Sequence, residues 1–435
     1  MTEKNNKKVI RSWAFFDWAN SAYNLVITST IFPAYYTIIT TTKEHGDHVS
    51  FFGRTFTNTA LSNYALSFAY LIMALALPVL SSIADNRGNK KAFMKFFTYM
   101  GGLACAGLFF FELNTLELGI ICFVLAAMGY IGGVLFNNSY LPEIATEDQQ
   151  DRVSAQGFSY GYVGSVLLQL ICFLFVLKPE WFGITDGSLP ARISFLLVGI
   201  WWIAFAQIPF KNLPSVHKQY EKVKRNLIKD GFNELSKVWN LVKNMKKLKG
   251  FLFAFFFYSM GVQTIMLAAA GFAEKTLKLG TAKLIAVILI IQLVAIPGAM
   301  LMSFLSKKWG NTNVLIYVVL IWIGACVGGY YVSNEYQFYA LSAVVGLIMG
   351  GIQSLSRSTY SKFLPENTPD STSFFSFYDV TEKLAIVIGL FSFAYIEEVT
   401  SNIRYSIIAL ASFFIVGLIF LMLLKKIEAR QALKL

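Results

Sequence analysis

Charge is what this sequence has least of. Only 14% of its 435 residues are Asp, Glu, Lys or Arg, against about 25% in an ordinary soluble domain. Its length would suggest roughly three soluble domains at about 150 residues each, but so few charges cannot clothe three globular surfaces. Cysteine is also sparse. Cys105, Cys122, Cys172 and Cys326 all lie inside apolar runs, which excludes a disulfide framework and leaves them as small core hydrophobes. Histidine is confined to His45, His48 and His217, none at metal-ligand spacing, so neither a metal nor a cofactor is expected. The chain has no Gly-x-x-x-x-Gly-Lys-Ser/Thr loop, which excludes a self-contained ATP-driven pump. Nor does it present a catalytic constellation, and an enzyme is not expected.

What is present is apolar length. Hydrophobic residues make up 56% of the chain and aromatics 16%, with a mean hydropathy of +0.55. The charge-free runs Trp18–Thr42, Thr55–Ala84, Leu118–Pro142, Val153–Leu177 and Gly250–Ala273 each exceed the ~20 residues that cross a bilayer. These runs imply an all-α polytopic membrane protein. Twelve spans are expected, near 12–40, 57–83, 92–112, 117–139, 154–177, 191–209, 250–273, 283–305, 313–333, 336–357, 373–396 and 402–424. The first comes after a basic N-terminus but is too long for a signal-peptide core and carries Asp17, so it reads as a permanent span.

The net charge of +12 invites a nucleic-acid reading, and its distribution removes it. With both termini inside, 28 of the 37 Lys and Arg fall on the cytoplasmic side and 8 outside, leaving Lys383 within a span. That bias orients the chain with both termini in the cytoplasm. The expected setting is the plasma (bacterial inner) membrane, with the lipid bilayer as partner and no nucleic acid. Residues 211–249 hold eleven of these cations, with apolar residues at helical spacing. They read as a basic amphipathic linker at the cytoplasmic interface, dividing a six-span half at 1–210 from another at 250–435. The halves look related. Ser81–Lys91 and Ser303–Asn311 align on Gly88 and Gly310 at an offset of 222, and Leu141-Pro142-Glu143 matches Leu364-Pro365-Glu366 at 223. Such parallel duplication is one way secondary transporters are built.

Ionisable groups within a span cost about 2.5–3.5 kcal/mol at mid-bilayer, so the few that remain mark candidate sites. On the first span Asp17, Asn20, Ser21, Asn24 and Thr28 share one helical face, suited to a solute pathway or to interhelical hydrogen bonding. The eleventh carries Asp379, Glu382 and Lys383. Asp379 and Lys383 can pair in the favoured acid-first order, leaving Glu382 to exchange partners in a cation-coupled cycle or to sit in a static cluster. Asn137, Asn138, Tyr258, Ser259, Gln263, Gln292, Gln353 and Ser354 could add uncharged lining to a midplane cavity. Arg357, at the end of the tenth span, is expected at the cytoplasmic rim. Gly157, Gly161 and Gly164, and Gly346, Gly350 and Gly351, read as close-packing surfaces. Asp85, Arg87 and Gly88, leading into a basic cluster, fit a cytoplasmic latch that caps a neighbouring helix.

These residues carry a resemblance. Ser81–Lys91 is similar to the loop signature of the major facilitator superfamily, Gly-x-Leu-Ala-Asp-Arg-x-Gly-Arg-Arg, matching at Asp85, Gly88 and Lys90. The vacuolar amino-acid effluxer-like branch, with bacterial members grouped as an "unknown" facilitator family, is resembled more narrowly. The carrying residues are Asp17-Trp-Ala-Asn-Ser-Ala-Tyr23, Gly261-Val-Gln-Thr264, Gly350-Gly-Ile-Gln-Ser-Leu-Ser-Arg357 and Phe377-Tyr-Asp-Val-Thr381. Ser259-Met260 stand where the branch often has Asn-Asp. The resemblance implies movement of a small solute, amino acids being the nominal substrate. A monomeric secondary transporter working by alternating access is expected, with a proton or sodium ion as the coupling partner. A receptor or scaffold acting through the basic linker, or a channel, are the rival expectations.

Overall fold

A computed structural model describes residues 4–43, 46–215, 227–365, 368 and 370–432. Almost all of it is helix, because long apolar runs in lipid must satisfy every backbone N–H and C=O within the segment. The first half comprises α1 (Lys7–Ala22), α2 (Ile31–Thr40), α3 (Asn58–Arg87), α4 (Lys90–Gly107), α5 (Leu116–Asn138), the short α6 (Leu141–Ile144), α7 (Glu147–Leu177) and α8 (Leu189–Asn212). After α9 (Leu227–Asn244), the second half contains α10 (Lys246–Leu277), α11 (Thr281–Trp309), α12 (Asn311–Tyr331), α13 (Glu335–Lys362), α14 (Ser371–Thr400) and α15 (Ile403–Ala432). Among the described residues ten helices are long and apolar enough to cross a membrane. Two further crossings correspond to the first and eleventh expected spans. The first runs from Lys7 to Thr40 through α1 and α2 and carries Asp17, Asn20 and Asn24; the other is α14, with Asp379, Glu382 and Lys383.

Twelve crossings put the start of α1 and the end of α15 on one face, called here the terminal face. Large apolar side chains such as Phe68, Leu75, Leu103, Phe304 and Phe391 are exposed. On a soluble body they would be an aggregation hazard, whereas here they form the belt that meets acyl chains. Within the halves, helices approach closely where glycine permits. A Cβ on Gly161 would lie 2.5 Å from Ser21 Oγ on α1, and one on Gly350 would lie 2.2 Å from the Ala295 carbonyl on α11. The halves meet along α7 against α11 and α13, and along α3 against α14.

Two features lay outside the sequence expectation. A two-stranded hairpin, β1 (His48–Phe51) and β2 (Arg54–Thr57), comes after the first crossing. Its turn residues Phe52 and Gly53 both have positive φ, +47° and +77°, the geometry of a tight two-residue hairpin turn. The other is a π-helical stretch, Tyr23–Thr30, between α1 and α2. The wider turn rotates the remainder of the span about its axis, and so Ser29 rather than Thr28 comes to the central cavity. Part of the expected linker, residues 216–226, and Glu366 of the repeated Leu-Pro-Glu lie outside the described residues. What is described of the linker includes α9, which packs on α3 and touches α14, with Trp239 5.6 Å from Phe377.

Candidate functional site

Between the halves lies a cavity of about 1350 Å³, its open mouth included. The first half contributes Asp17, Asn20, Ser21, Asn24, Ser29, Tyr70, Tyr130 and Asn138, and the second Tyr258, Ser259, Gln263, Gln292, Gln353, Arg357, Asp379, Glu382 and Lys383. Asp17 and Asn20 are buried whereas Asn24 and Ser29 are exposed, so the cavity widens along α1 toward the face opposite the termini. Asn137 sits just behind the lining. Its carbonyl accepts from Trp13 Nε1 at 2.7 Å, and its side-chain amide donates to Asp17 at 3.4 Å.

Arg357 is not at the rim. Helix α13 continues for five residues beyond it, which draws the guanidinium inward and leaves it 3% exposed. Its Nη1 donates to Asp17 Oδ2 and to Asn138 Oδ1, each at 3.0 Å. Its Nε and Nη2 donate to the hydroxyl and the carbonyl of Ser154, at 2.9 and 2.8 Å. The cation lies over the rings of Trp13 and Phe158, with centroids at 4.6 and 4.2 Å. A single buried cation therefore ties α13 of one half to α1, α5 and α7 of the other. Four of the five guanidinium N–H groups are occupied. The pair fits beneath α7 only because residue 157 is glycine: a Cβ there would lie 2.5 Å from Asp17 Oδ2 and 2.7 Å from Arg357 Nη2.

The eleventh-span cluster is also wired differently from the sequence expectation. Lys383 pairs with its neighbour Glu382 at 2.6 Å, and Glu382 accepts from Gln263 Nε2 at 3.0 Å. Both contacts are within the second half. Asp379 is the acid left over, 2% exposed with Oδ2 lacking a hydrogen-bond partner. Glu382 takes the lysine with one carboxylate oxygen while Gln263 holds the other. Tyr162 of α7 donates to Gln353 of α13 at 2.7 Å, and within the second half Tyr258 shares a 2.7 Å hydrogen bond with Ser356.

Beneath the cavity the terminal face is closed by two acids. Asp85, near the end of α3, accepts from the backbone N–H groups of Thr372 and Ser373 at 3.3 and 2.6 Å, and from Ser373 Oγ at 2.8 Å. It caps the N-terminus of α14, where free N–H groups and the helix dipole favour an anion. Gly88 ends α3 in the left-handed region at φ +62°, the usual work of a glycine C-cap. Arg87, on the outer side of the last turn of α3, is exposed; the cation at this junction is Lys90, buried between Glu143 and the Tyr140 ring. Glu143 in turn accepts from Ser371 at 2.8 Å.

The second acid, Asp151 on α7, was not singled out in the sequence. It accepts from Ser306 at 2.8 Å and from Asn311 and Lys362 at 2.7 Å. Under the 222-residue offset Ser373 corresponds to Asp151, and Asp85 to Lys307 beside Ser306. The two closures are thus equivalent in position, with acid and hydroxyl exchanged. Removing both acids should loosen this face. A cysteine introduced at Ser139, fully buried behind Thr372, is expected to react with a polar maleimide about tenfold faster in Asp85→Ala/Asp151→Ala protein, given ~1.5–3 kcal/mol per charge-assisted bond. Unchanged labelling would show that the face is held shut by other contacts.

The fold and the relatives agree with this geometry. The profile of the family described as "Vacuole effluxer Atg22 like" matches residues 5–434. The chain is 29% identical over 420 residues to the Bacillus subtilis MFS-type transporter YxiO, covering 96% of this chain and 95% of that one. It is 27% identical over 412 residues to autophagy-related protein 22 of Kluyveromyces lactis, covering 85% and 80%. Among solved structures it is similar to the human organic anion transporter MFSD10, with a TM-score of 0.74, 8% identity and coverage of 96% and 100%. It is likewise similar to the major facilitator transporter FucP in its outward conformation, with a TM-score of 0.67, 13% identity and coverage of 97% and 99%. The chain belongs to the Atg22-like family, and its fold is that of a major facilitator superfamily transporter.

Proposed function

We propose that this protein moves a small amino-acid-like solute across the plasma membrane by alternating access, with both termini in the cytoplasm. The observation that carries this reading is the Asp17–Arg357 pair. It joins the two halves at the floor of a polar cavity that is sealed toward one face and open toward the other. Opening the sealed face requires α13 to part from α1 and α7, so the pair must break or be replaced in the opposite state. A solute seated between Asp17, Asn20 and Asn24 on one side and Gln263, Gln353 and Lys383 on the other bears on both halves at once. The remaining guanidinium N–H is available to its carboxylate. The family's description as vacuole effluxers supports solute movement without fixing its direction across a plasma membrane, and the excess of Lys and Arg on the terminal face supports a cytoplasmic placement of that face.

Purified protein in liposomes loaded with a mixture of labelled amino acids tests the proposal. Release of one or a few of them, faster than from protein-free vesicles and lost in Arg357→Met protein, is the expected outcome. No release under either a proton or a sodium gradient would end the amino-acid reading. Electrical currents far above carrier turnover would indicate a channel.

A further inference from the structure

The cavity lining has an odd charge. Its described ionisable residues are three acids, Asp17, Asp379 and Glu382, and two permanent cations, Arg357 and Lys383. Each cation is already committed, Arg357 to Asp17 at 3.0 Å and Lys383 to Glu382 at 2.6 Å. Asp379 is the surplus acid, and it is 2% exposed with a buried Oδ2 that finds no hydrogen-bond partner. A buried carboxylate oxygen without a donor is rare in folded proteins and calls for a specific explanation, all the more at membrane depth, where unpaired charge is disfavoured.

The surroundings say what could complete it. Tyr70 of α3, Tyr130 of α5, Phe255 and Tyr258 of α10, Phe158 of α7 and Tyr378 of α14 line the same cavity. Aromatic faces attract a partly desolvated ammonium, and a carboxylate is its natural anionic contact. An anionic solute, by contrast, would enter a net-negative lining whose two cations are neutralised. The titratable groups sharing the space with Asp379 are Glu382 and Lys383 on its own helix, Tyr258, Tyr70, Tyr130 and Tyr378, and Asp17 with Arg357 across the floor.

We propose that the transported solute carries a protonated amine that is not balanced by its own carboxylate, and that Asp379 receives that amine within the aromatic lining. A cationic amino acid or a small polyamine has this chemistry. The proposal rests on the transport reading for its physiological meaning, but its test does not require transport.

Thermal unfolding of the purified full-length protein is measured with n-butylammonium, butyrate or n-butanol at matched ionic strength. A ligand that binds only the folded state raises its stability. Butylammonium alone is expected to raise Tm by about two degrees in the parent and in Asp379→Glu protein, and not in Asp379→Asn protein. Equal shifts from butyrate or butanol would overturn the proposal, as would an amine shift that survives in the Asn variant. No amine response in the parent would overturn it as well. In that case modification of Asp379 by dicyclohexylcarbodiimide, declining as pH rises, would identify an exchangeable proton as the missing charge. If the Asn variant does not fold, the comparison of the three probes on parent and Asp379→Glu protein still decides. A vesicle assay that shows no solute movement would remove the transport reading and leave the binding result intact.

Discussion

Replacing Arg357 with methionine is expected to be the most damaging single change in the molecule. The substitution keeps length and apolar bulk but leaves Asp17 as a buried carboxylate whose one charged partner has gone. Breaking a buried pair from one side typically costs about 3–5 kcal/mol, and Asn138 and Ser154 lose their donors at the same time. Solute release should fall by roughly a hundredfold or more, with a matching drop in unfolding temperature. Asp17→Asn should be milder, because the guanidinium keeps Asn138, Ser154 and the Trp13 and Phe158 rings. A double-mutant cycle separates the two roles. Asp17→Asn/Arg357→Met should recover part of the stability, with a coupling on the order of 1–3 kcal/mol, and none of the transport. Full recovery of transport would show that the pair is only structural glue.

Gly157→Val is expected to come next, through sterics alone. The added Cβ would sit 2.5 Å from Asp17 Oδ2, 2.7 Å from Arg357 Nη2 and 2.8 Å from the Trp13 ring. Three groups at once have no room to retreat, since each is held by its own partners. Overpacking of this kind costs about 1–3 kcal/mol, and the displaced pair should lose its geometry. Gly324→Val is the control, because nothing lies within 4 Å of the Cβ position there. If both variants unfold and transport like the parent, α7 does not press on α1 at this point.

Much of the architecture could be read from residues alone, because spans in lipid are fixed by apolar length and orientation by Lys and Arg. The polar face from Asp17 to Asn24 was legible for the same reason: i, i+3, i+4, i+7 spacing places side chains on one side of any α-helix. Thr28 escaped it because the π-helical stretch changes the period, and nothing in Tyr-Asn-Leu-Val-Ile-Thr-Ser-Thr announces that change. Arg357 was misplaced by the rule that orients the chain, since an Arg near the end of a span is ordinarily a rim residue. Its partner Asp17 is 340 positions away, and local pattern cannot show such a contact. Asp151 was passed over as an ordinary acid in a helix's first turns, where acids are common. Its role depends on Ser306, Asn311 and Lys362, which only the packing of the halves brings to it. For the eleventh-span triad, helical spacing showed which groups were neighbours but not which acid the lysine would choose.

The Asp85 closure differs from the others in being half main chain. Its acceptor is a side chain, but its donors include the main-chain amides of Thr372 and Ser373. Among substitutions in α14 only proline deletes those donors; every other side chain leaves them in place, and unwinding of the first turn is then what removes them. The strength of the closure is therefore tied to local helix order. An event that frays the start of α14 releases this closure without touching Asp85, and one that firms that turn tightens it. Helix α9, whose Trp239 leans on Phe377 one turn further along, is placed against that region, so one of the two closures answers to the order of a few residues.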